Sequence, residues 1–193
     1  MEGLYTVLAA LISASATLVS VWAGKKILHR AKTDSIVNET IQNANVYTAL
    51  DFLLEESGSD RAYVMEFHNG DHYFSGRGQQ KFSCTYETVR KGISSECHSS
   101  QNHRISNFHH YISVAVNDGV FSLENIQDTE DVSFKGLLKD KGVQSIFNVP
   151  LKTLNGKVIG MLGIDYVRSS RTFEEKDLQF MKRQARIVAG YLI

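Results

Sequence analysis

The segment that most constrains the fold is a hairpin signal in residues 144–167. Two apolar runs rich in β-branched residues, QSIFNVPLKTL and KVIGMLGIDYV, flank the dipeptide Asn155-Gly156. Asn-Gly is the strongest short-range signal of a tight turn between antiparallel strands. Gly160 and Gly163 interrupt the second run, which indicates a close backbone approach there, either by a packed helix or by a ligand.

Helices and strands alternate in the rest of the chain beyond residue 33. Apolar residues at steps of three and four predict helices, and alternating ones predict strands. The predicted helices cover residues 34–57, residues 105–116 with an end near Gly119, and a segment around Phe134, Leu137 and Leu138 that Gly142 caps. The predicted strands cover residues 62–68, 81–89 and 120–126. This order around an antiparallel hairpin predicts an α+β fold in which helices cover the sheet.

The last helix carries its own start signal and an apolar stripe. Thr172 is predicted to be its N-cap, with Glu175 completing a capping box. The stripe steps by three and four residues, which is typical of coiled-coil-like pairing between helices. Its members are Leu178, Met181, Ala185, Val188 and Leu192.

Charge and cysteine content exclude several classes of protein. The 193 residues carry 21 Lys and Arg against 21 Asp and Glu, so the chain lacks the basic surplus with which proteins hold nucleic acid. Two cysteines are too few for a disulfide-built secreted scaffold. Neither Cys-x-x-Cys nor His-Glu-x-x-His occurs, and we therefore predict no metal site.

The first 24 residues read as a membrane anchor. Residues 3–23 are uncharged and, as a helix, would reach roughly 30 Å, the thickness of a bilayer core. A cleaved signal peptide is the rival interpretation, but it requires a basic segment before the apolar run, where the only charge is Glu2. Small residues recur along one face of the span, at Ala9, Ser13, Ala16 and Ser20, and favour self-association.

A basic collar follows the span and predicts its orientation. Lys25, Lys26, Arg30 and Lys32 come directly after it, and no Lys or Arg precedes it. The positive-inside rule then predicts an outside N-terminus and a cytoplasmic body. We predict an anchor at residues 1–24, the collar and a stalk helix at residues 25–57, and a domain at residues 58–193.

The closing third of the chain resembles a GAF domain. The resemblance rests on GVQSIFNVPL at residues 142–151, NGKVIGML at residues 155–162, and Arg171-Thr172-Phe173 followed by Asp177 and Leu178. It covers roughly residues 60–193. It implies a mostly antiparallel sheet, with helices on one face that form a parallel dimer bundle and a small-molecule pocket on the other.

Several family chemistries lack their residues in this sequence. The N-K-x-F-x-D-E type motif of cyclic-nucleotide-binding members is absent. Cys97-His98 has the letters of a bilin attachment pair but lies in a polar loop before the helix at 105–116. No cysteine occurs between Val120 and Pro150, where the methionine sulfoxide reductases of the family have their nucleophile. We therefore expect no cofactor and no enzymatic activity.

A second resemblance is to the holins of T-even-type phages. These proteins also have a short N-terminal tail, one membrane span and a small α+β domain. Their globular domain lies outside the cytoplasm, whereas the basic collar predicts the opposite, and free cysteines fit a reducing compartment. The holin-like interpretation stays open as the alternative.

The segment between Glu66 and Glu87 is the predicted ligand-binding region. It combines aromatic side chains with a few polar groups, as a small-molecule pocket requires. The alternative is that its aromatic residues only pack the sheet. The candidate residues are Glu66, His68, Phe74, Arg77, Tyr86 and Glu87. Together these observations predict a membrane-anchored, dimeric binding or sensory module that contacts the lipid bilayer and acts through an unidentified small molecule or protein partner.

Overall fold

The computed structural model describes residue 20 and residues 35–193. The chain divides into two compact units, one ending at Asn43 and one comprising Ala44–Ile193. The predicted membrane span and basic collar lie outside the described residues, apart from Ser20. Within the described part, no helix combines the length and the apolar character needed to cross a bilayer.

One antiparallel sheet of six strands forms the centre of the Ala44–Ile193 unit. Its spatial order is β3-β2-β1-β6-β5-β4, and every neighbouring pair is antiparallel. The strands are β1 Arg61–His72, β2 Gly78–Val89, β3 His103–Arg104, β4 Phe121–Leu123, β5 Ser145–Lys152 and β6 Val158–Tyr166. The predicted hairpin is formed by β5 and β6, and the α+β prediction is confirmed.

Within residues 35–193, four α-helices and two short 3-10 helices accompany the sheet. Helix α1 covers residues 35–57, of which residues 44–57 belong to the Ala44–Ile193 unit. The others are α2 His109–Asp118, α3 Val132–Asp140 and α4 Glu175–Leu192, with 3-10 turns at Ile105–Phe108 and Ile126–Asp128. Gly119 and Gly142 follow α2 and α3 with φ of 76° and 68°, as the sequence predicted.

Alternation along the strands divides the interior into two cores. Successive side chains of a strand point to opposite faces of a sheet. The α4-side core contains Val46, Leu50, Leu53, Val64, Phe147, Val149, Leu162, Ile164, Met181 and Val188. The α2-side core contains Phe82, Phe108, Tyr111, Ile112, Phe121, Phe134, Leu138, Ile146 and Met161.

The predicted close approach at Gly160 and Gly163 is present, and neighbouring strands rather than a packed helix make it. A side chain at Gly160 would collide with the backbone of Met65 on the paired strand β1. A side chain at Gly163 would collide with the side chains of Asn148 and Tyr63. Both glycines are therefore required by the neighbouring strands.

Helix α4 differs from its prediction in two respects. Its N-cap is Glu174 rather than Thr172, and the capping box is completed by Asp177, whose carboxylate accepts the Glu174 N–H at 2.8 Å. The start lies later because Phe173 still packs inward, on the Phe147 ring at 4.8 Å. The apolar stripe of α4 packs in the α4-side core, so the predicted coiled-coil use of that stripe is wrong.

Candidate functional site

A small cavity lies in the α2-side core, between the sheet and helices α2 and α3. It has a volume of about 30 Å³, which leaves room for little more than a water molecule. The sheet contributes Tyr63, Asn148 and Asp165 to its lining. The remaining wall is partly aromatic, through Phe82, Tyr111 and Phe134, and partly polar, through Glu87, Glu96, Ser100 and Lys141.

Gly163 creates the space in which two polar side chains of the sheet meet. It lies between Tyr63 of β1 and Asn148 of β5 in the strand register. The Tyr63 hydroxyl donates a hydrogen bond to Asn148 Oδ1 at 3.0 Å. The pair spans the position that a side chain at Gly163 would occupy, which explains the glycine.

Two buried nitrogen atoms of this lining have no hydrogen-bond partner among the described residues. They are Nδ2 of Asn148 and Nε2 of His103. Asn148 is fully buried, and His103 is half-buried. A buried polar atom left without a partner costs roughly 1–3 kcal/mol, so such atoms identify places where a bound molecule would be favoured.

Asp165, one of the lining residues, forms a buried ion pair with Arg61. Arg61 is only 1% exposed and donates to both carboxylate oxygens of Asp165, at 3.3 and 3.2 Å. Its remaining nitrogens donate to the backbone carbonyls of Ser94 and Lys141, each at 2.9 Å. Burial raises the pKa of Asp165 to about 7, although the charge of Arg61 opposes this shift.

The charge of Lys141 is held inside the same site. Its ammonium group donates to the hydroxyl of Ser100. Burial lowers the pKa of Lys141, while Glu96 opposes the shift. Burial, and then the charge of Lys141, lower the pKa of His103, which favours a neutral imidazole with one donor and one acceptor nitrogen. The cavity therefore presents both donors and acceptors to a small molecule.

Glu87 is the one predicted ligand-binding residue that lines the cavity. Its Oε2 atom accepts hydrogen bonds from the backbone N–H groups of Glu96 and Cys97, at 2.8 and 3.0 Å. The Ser95 hydroxyl donates to the same oxygen at 2.5 Å. This carboxylate thus attaches the segment of residues 93–102, which we call the clamp loop, to strand β2.

The other five predicted residues lie outside this lining. Glu66 is half-buried on β1, His68 Nε2 lies 2.9 Å from the Ser83 hydroxyl, and Phe74 is fully exposed. The Arg77 guanidinium lies 4.8 Å from the centre of the Tyr73 ring, in the β1–β2 hairpin. Tyr86 meets the ring of Tyr47 edge-on, with 5.5 Å between the ring centres. The structure therefore does not bring the six predicted residues together.

The polar residues on which the cavity is built were not predicted from the sequence. Asn148 and Asp165 each interrupt a buried, otherwise apolar strand. A polar group within a buried strand needs a partner, and this signal was available in the hairpin sequence. Within residues 35–193, no group of three or more His, Cys, Asp or Glu side chains is arranged to hold a metal ion.

Comparison with known proteins gives one family and a common fold. A family model described as "GAF domain" matches residues 43–192. The blue-light-absorbing form of the PixJ GAF domain from Thermosynechococcus elongatus has a TM-score of 0.63 and 18% identity. The match covers 80% of this chain and 86% of that one. No curated protein matches the chain in sequence.

Two further solved structures have the same fold. GAF3 of Slr1393 from Synechocystis sp. PCC6803, in its photoproduct state, has a TM-score of 0.62 and 11% identity, covering 78% of this chain and 92% of that one. A Sinorhizobium meliloti domain, from a protein provisionally named a two-component sensor histidine kinase, has a TM-score of 0.54 and 17% identity. That match covers 76% of this chain and 87% of the other.

Proposed function

The chain belongs to the GAF domain family, and on this premise we propose that residues 44–193 form a non-enzymatic sensory module that binds a small polar molecule. The ligand occupies the cavity between the sheet and helices α2 and α3. The observation that carries the proposal is the fully buried Asn148 side chain, whose Nδ2 lacks a hydrogen-bond partner among the described residues.

The lining defines the chemical class of the proposed ligand. The volume of about 30 Å³ admits little more than a water molecule, so a ligand of four or five heavy atoms requires the lining side chains to move apart. The Asn148 amide and the Lys141 ammonium group call for hydrogen-bond acceptors on the ligand, while Glu87 and Glu96 call for donors. A molecule with both, such as glycine or acetamide, meets these requirements.

A bilin pigment is a less suitable occupant, although similar structures include light-absorbing domains. Tyr111 and Phe134 stack with 4.3 Å between their ring centres, and Phe121 meets both edge-on, so aromatic side chains fill most of this core. Cys97 lies in the clamp loop rather than on a helix. A large planar tetrapyrrole would have to displace the stacked rings.

We test the proposed site with glycine, acetamide and acetate, using ligand-observed NMR on residues 44–193 attached to their natural N-terminal segment. Asn148→Leu should abolish binding, because it removes the unpartnered donor and fills the space. Arg77→Ala is the matched control, since Arg77 lies in the β1–β2 hairpin outside the lining, and should bind as the natural chain does. Binding that survives Asn148→Leu but is lost in Arg77→Ala would relocate the site to the β1–β2 hairpin.

The nearest approach to a catalytic pair in the described residues is His68 with Ser83, and its setting supports a structural role. The Ser83 side chain is buried in β2, and its oxygen also accepts the backbone N–H of Asn102 at 2.8 Å. A serine nucleophile must instead be accessible to its substrate. We therefore propose that this pair fastens the clamp loop to the sheet.

We propose that the module is held at a membrane by residues 1–24 and lies in the cytoplasm. The support is the uncharged run at residues 3–23 and the basic collar that follows it. A reporter fused after Ile193 and active on only one side of the membrane tests the orientation. Activity outside the cell would favour the holin-like alternative, and lysis timing would then be the next measurement.

We further propose that two copies pair through the outer faces of α1 and α4. Phe52 of α1 is 49% exposed and lies 6.2 Å from the ring centre of Phe180 on α4, and Ile187 of α4 is exposed as well. An exposed apolar strip on two helices favours association between copies. Phe52→Glu should lower the mass measured by analytical ultracentrifugation to that of one chain, whereas Lys157→Glu, in the β5–β6 turn, should not.

A further inference from the structure

The two cysteines of the chain meet at the clamp loop, although 12 residues separate them in sequence. Cys84 is buried in β2, and Cys97 is half-buried in the loop. The Cys97 thiol donates to the backbone carbonyl of Cys84 at 3.4 Å. The half-buried thiol therefore lies against the backbone of the buried cysteine.

Hydrogen bonds on both sides hold this arrangement in place. The side-chain nitrogen of Gln101 donates to the carbonyls of Cys84 and Cys97, at 2.7 and 2.6 Å. The backbone N–H of Cys84 donates to the carbonyl of Ser100 at 2.8 Å. Together with the Glu87 carboxylate, these bonds keep the loop backbone around Cys97 beside the strand backbone at Cys84.

The side chains also act on one another directly. Burial raises the pKa of the Cys84 thiol, and the charge of Cys97 and a hydrogen bond with the Cys97 side chain raise it further. Cys84 is therefore a protonated, shielded thiol, whereas Cys97 is the one that a small oxidant can reach. Such a pair has the arrangement of a reactive cysteine beside a resolving one.

We propose that Cys84 and Cys97 form a reversible intramolecular disulfide when the protein meets a peroxide. Cys97 loses its proton, its thiolate attacks one oxygen of the peroxide, and the O–O bond breaks. When hydrogen peroxide is the oxidant, the leaving hydroxide takes up that proton, so a sulfenic acid and water result. The Cys84 sulfur then attacks the Cys97 sulfur, the S–O bond breaks, and a second water leaves with the Cys84 proton. Sulfur is oxidised and the peroxide oxygens are reduced, with two thiol hydrogens lost in total.

The disulfide would stiffen one wall of the candidate cavity and a contact with α1. Glu96 and Ser100 of the clamp loop line the cavity. Both lie within three residues of Cys97, so the new bond would restrain them. On the other side, the ring of Tyr47 on α1 meets the ring of Tyr86, two residues beyond Cys84 on β2, with 5.5 Å between the ring centres. The proposal does not depend on a ligand, since the chemistry involves only the two thiols and the oxidant.

A metal ion is the other occupant that two thiols could hold. Structural zinc sites use four ligands, most often cysteine and histidine. Among the described residues no third His, Cys, Asp or Glu is placed to complete such a group. The arrangement therefore favours redox chemistry of the pair.

The test treats the full chain with hydrogen peroxide and measures intact mass and free thiols. We expect the loss of two hydrogen atoms and of both thiols in a single chain, reversed by dithiothreitol, and slower hydrogen exchange across residues 93–102 after oxidation. In Cys97→Ser, Cys84 should keep its thiol, and in Cys84→Ala, Cys97 should gain oxygen atoms instead. Alanine replaces Cys84 so that the test does not depend on folding with a polar side chain at this buried position.

Three results would overturn the proposal. They are oxygen addition without hydrogen loss in the natural chain, disulfide-linked dimers in place of the intramolecular bond, and thiols that resist peroxide in the folded chain but react in the urea-unfolded chain. Methionine oxidation also adds oxygen, so the mass is read on the peptides that contain Cys84 and Cys97. Peptide mapping then separates the two events.

Discussion

The two faces of the sheet are built from different kinds of side chain. On the α4 side, strands β1, β5 and β6 present Val64, Val149 and Leu162, which are buried among other apolar residues. On the α2 side, the intervening positions present Tyr63, Asn148 and other residues around a cavity. Because the side-chain period of a strand is two, the same strands supply both faces.

This contrast indicates that the α4-side core is suited to stabilising the domain and the α2-side core to binding a ligand. Apolar burial contributes roughly 25 cal/mol per Å² and is non-directional, so the α4-side core can hold the sheet without specific partners. The α2-side core depends on directional bonds such as Tyr63 to Asn148, at 3.0 Å. Polar groups that are only partly satisfied cost free energy in the empty protein and provide attachment points for a ligand.

The largest expected effect is that of Arg61→Met on the α2 side. It leaves the buried Asp165 carboxylate and two backbone carbonyls without the guanidinium. Breaking a buried ion pair by removing one partner costs about 3–5 kcal/mol, so we expect that loss in the free energy of unfolding in urea. Arg186→Met, on the exposed face of α4, is the control and should cost less than about 0.5 kcal/mol. Equal losses in the two variants would show that the ion pair contributes nothing.

Adjacent residues of β6 compare the two cores directly. Leu162 and Met161 are both fully buried, Leu162 in the α4-side core and Met161 in the α2-side core. Leu162→Ala should cost about 3–4 kcal/mol, because it leaves a void among the apolar side chains of its core. Met161→Ala should cost about 2–3 kcal/mol, since its void opens in the core that also contains the polar cavity and can take up water. Urea denaturation measures both, and a larger loss for Met161→Ala would reverse our account of the two faces.

The pH dependence of stability should depend on Asp165. Its pKa is raised to about 7 in the folded chain, whereas the unfolded value is about 4, so the folded state binds the proton more tightly. The resulting stabilisation is fully present below about pH 4 and is lost as the pH rises through about 7. Relaxation of the protein around the buried charge moderates its penalty, and we expect a loss on the order of 2 kcal/mol. Asp165→Asn should lack this slope between about pH 4 and 7, when both proteins are unfolded in urea at each pH. A natural chain that gains stability over this range relative to Asp165→Asn would contradict the raised pKa.

The fold was readable from the sequence because its signals are local. Periodicity predicted α1 to α4, Asn155-Gly156 predicted the β5–β6 hairpin, and the two helix-ending glycines were assigned correctly. Each of these signals acts within a few residues of the structure it predicts. The N-cap of α4 was misassigned because the inward packing of Phe173 on Phe147, a contact between distant residues, delays the start of the helix.

The candidate site was less readable because it depends on strand register. Tyr63 and Asn148 are 85 residues apart in sequence, and Arg61 and Asp165 are 104 apart. No local pattern brings such pairs together. Aromatic and polar residues within one hairpin, Glu66 to Glu87, were therefore grouped by proximity along the chain, and only Glu87 lines the cavity.

The smallest expected effects come from removing two tyrosine hydroxyls, one on each side of the sheet. The Tyr63 hydroxyl donates to Asn148, and the Tyr166 hydroxyl donates to the backbone carbonyl of Ser57 at 2.9 Å. Tyr166→Phe leaves that carbonyl with a second donor, since Arg171 also bonds to it at 2.9 Å, and should cost about 0.5 kcal/mol. Tyr63→Phe removes the one bond described for the Asn148 side chain and should cost about 1–2 kcal/mol in urea denaturation. With saturating glycine or acetamide present for all three proteins, the loss relative to the natural chain should shrink in Tyr63→Phe and stay the same in Tyr166→Phe, because a ligand in the cavity can bond to the freed Asn148 oxygen. If the two losses are equal and these molecules change neither, the polar groups on both sides of the sheet have the same structural role. The contrast between the faces would then not extend to binding.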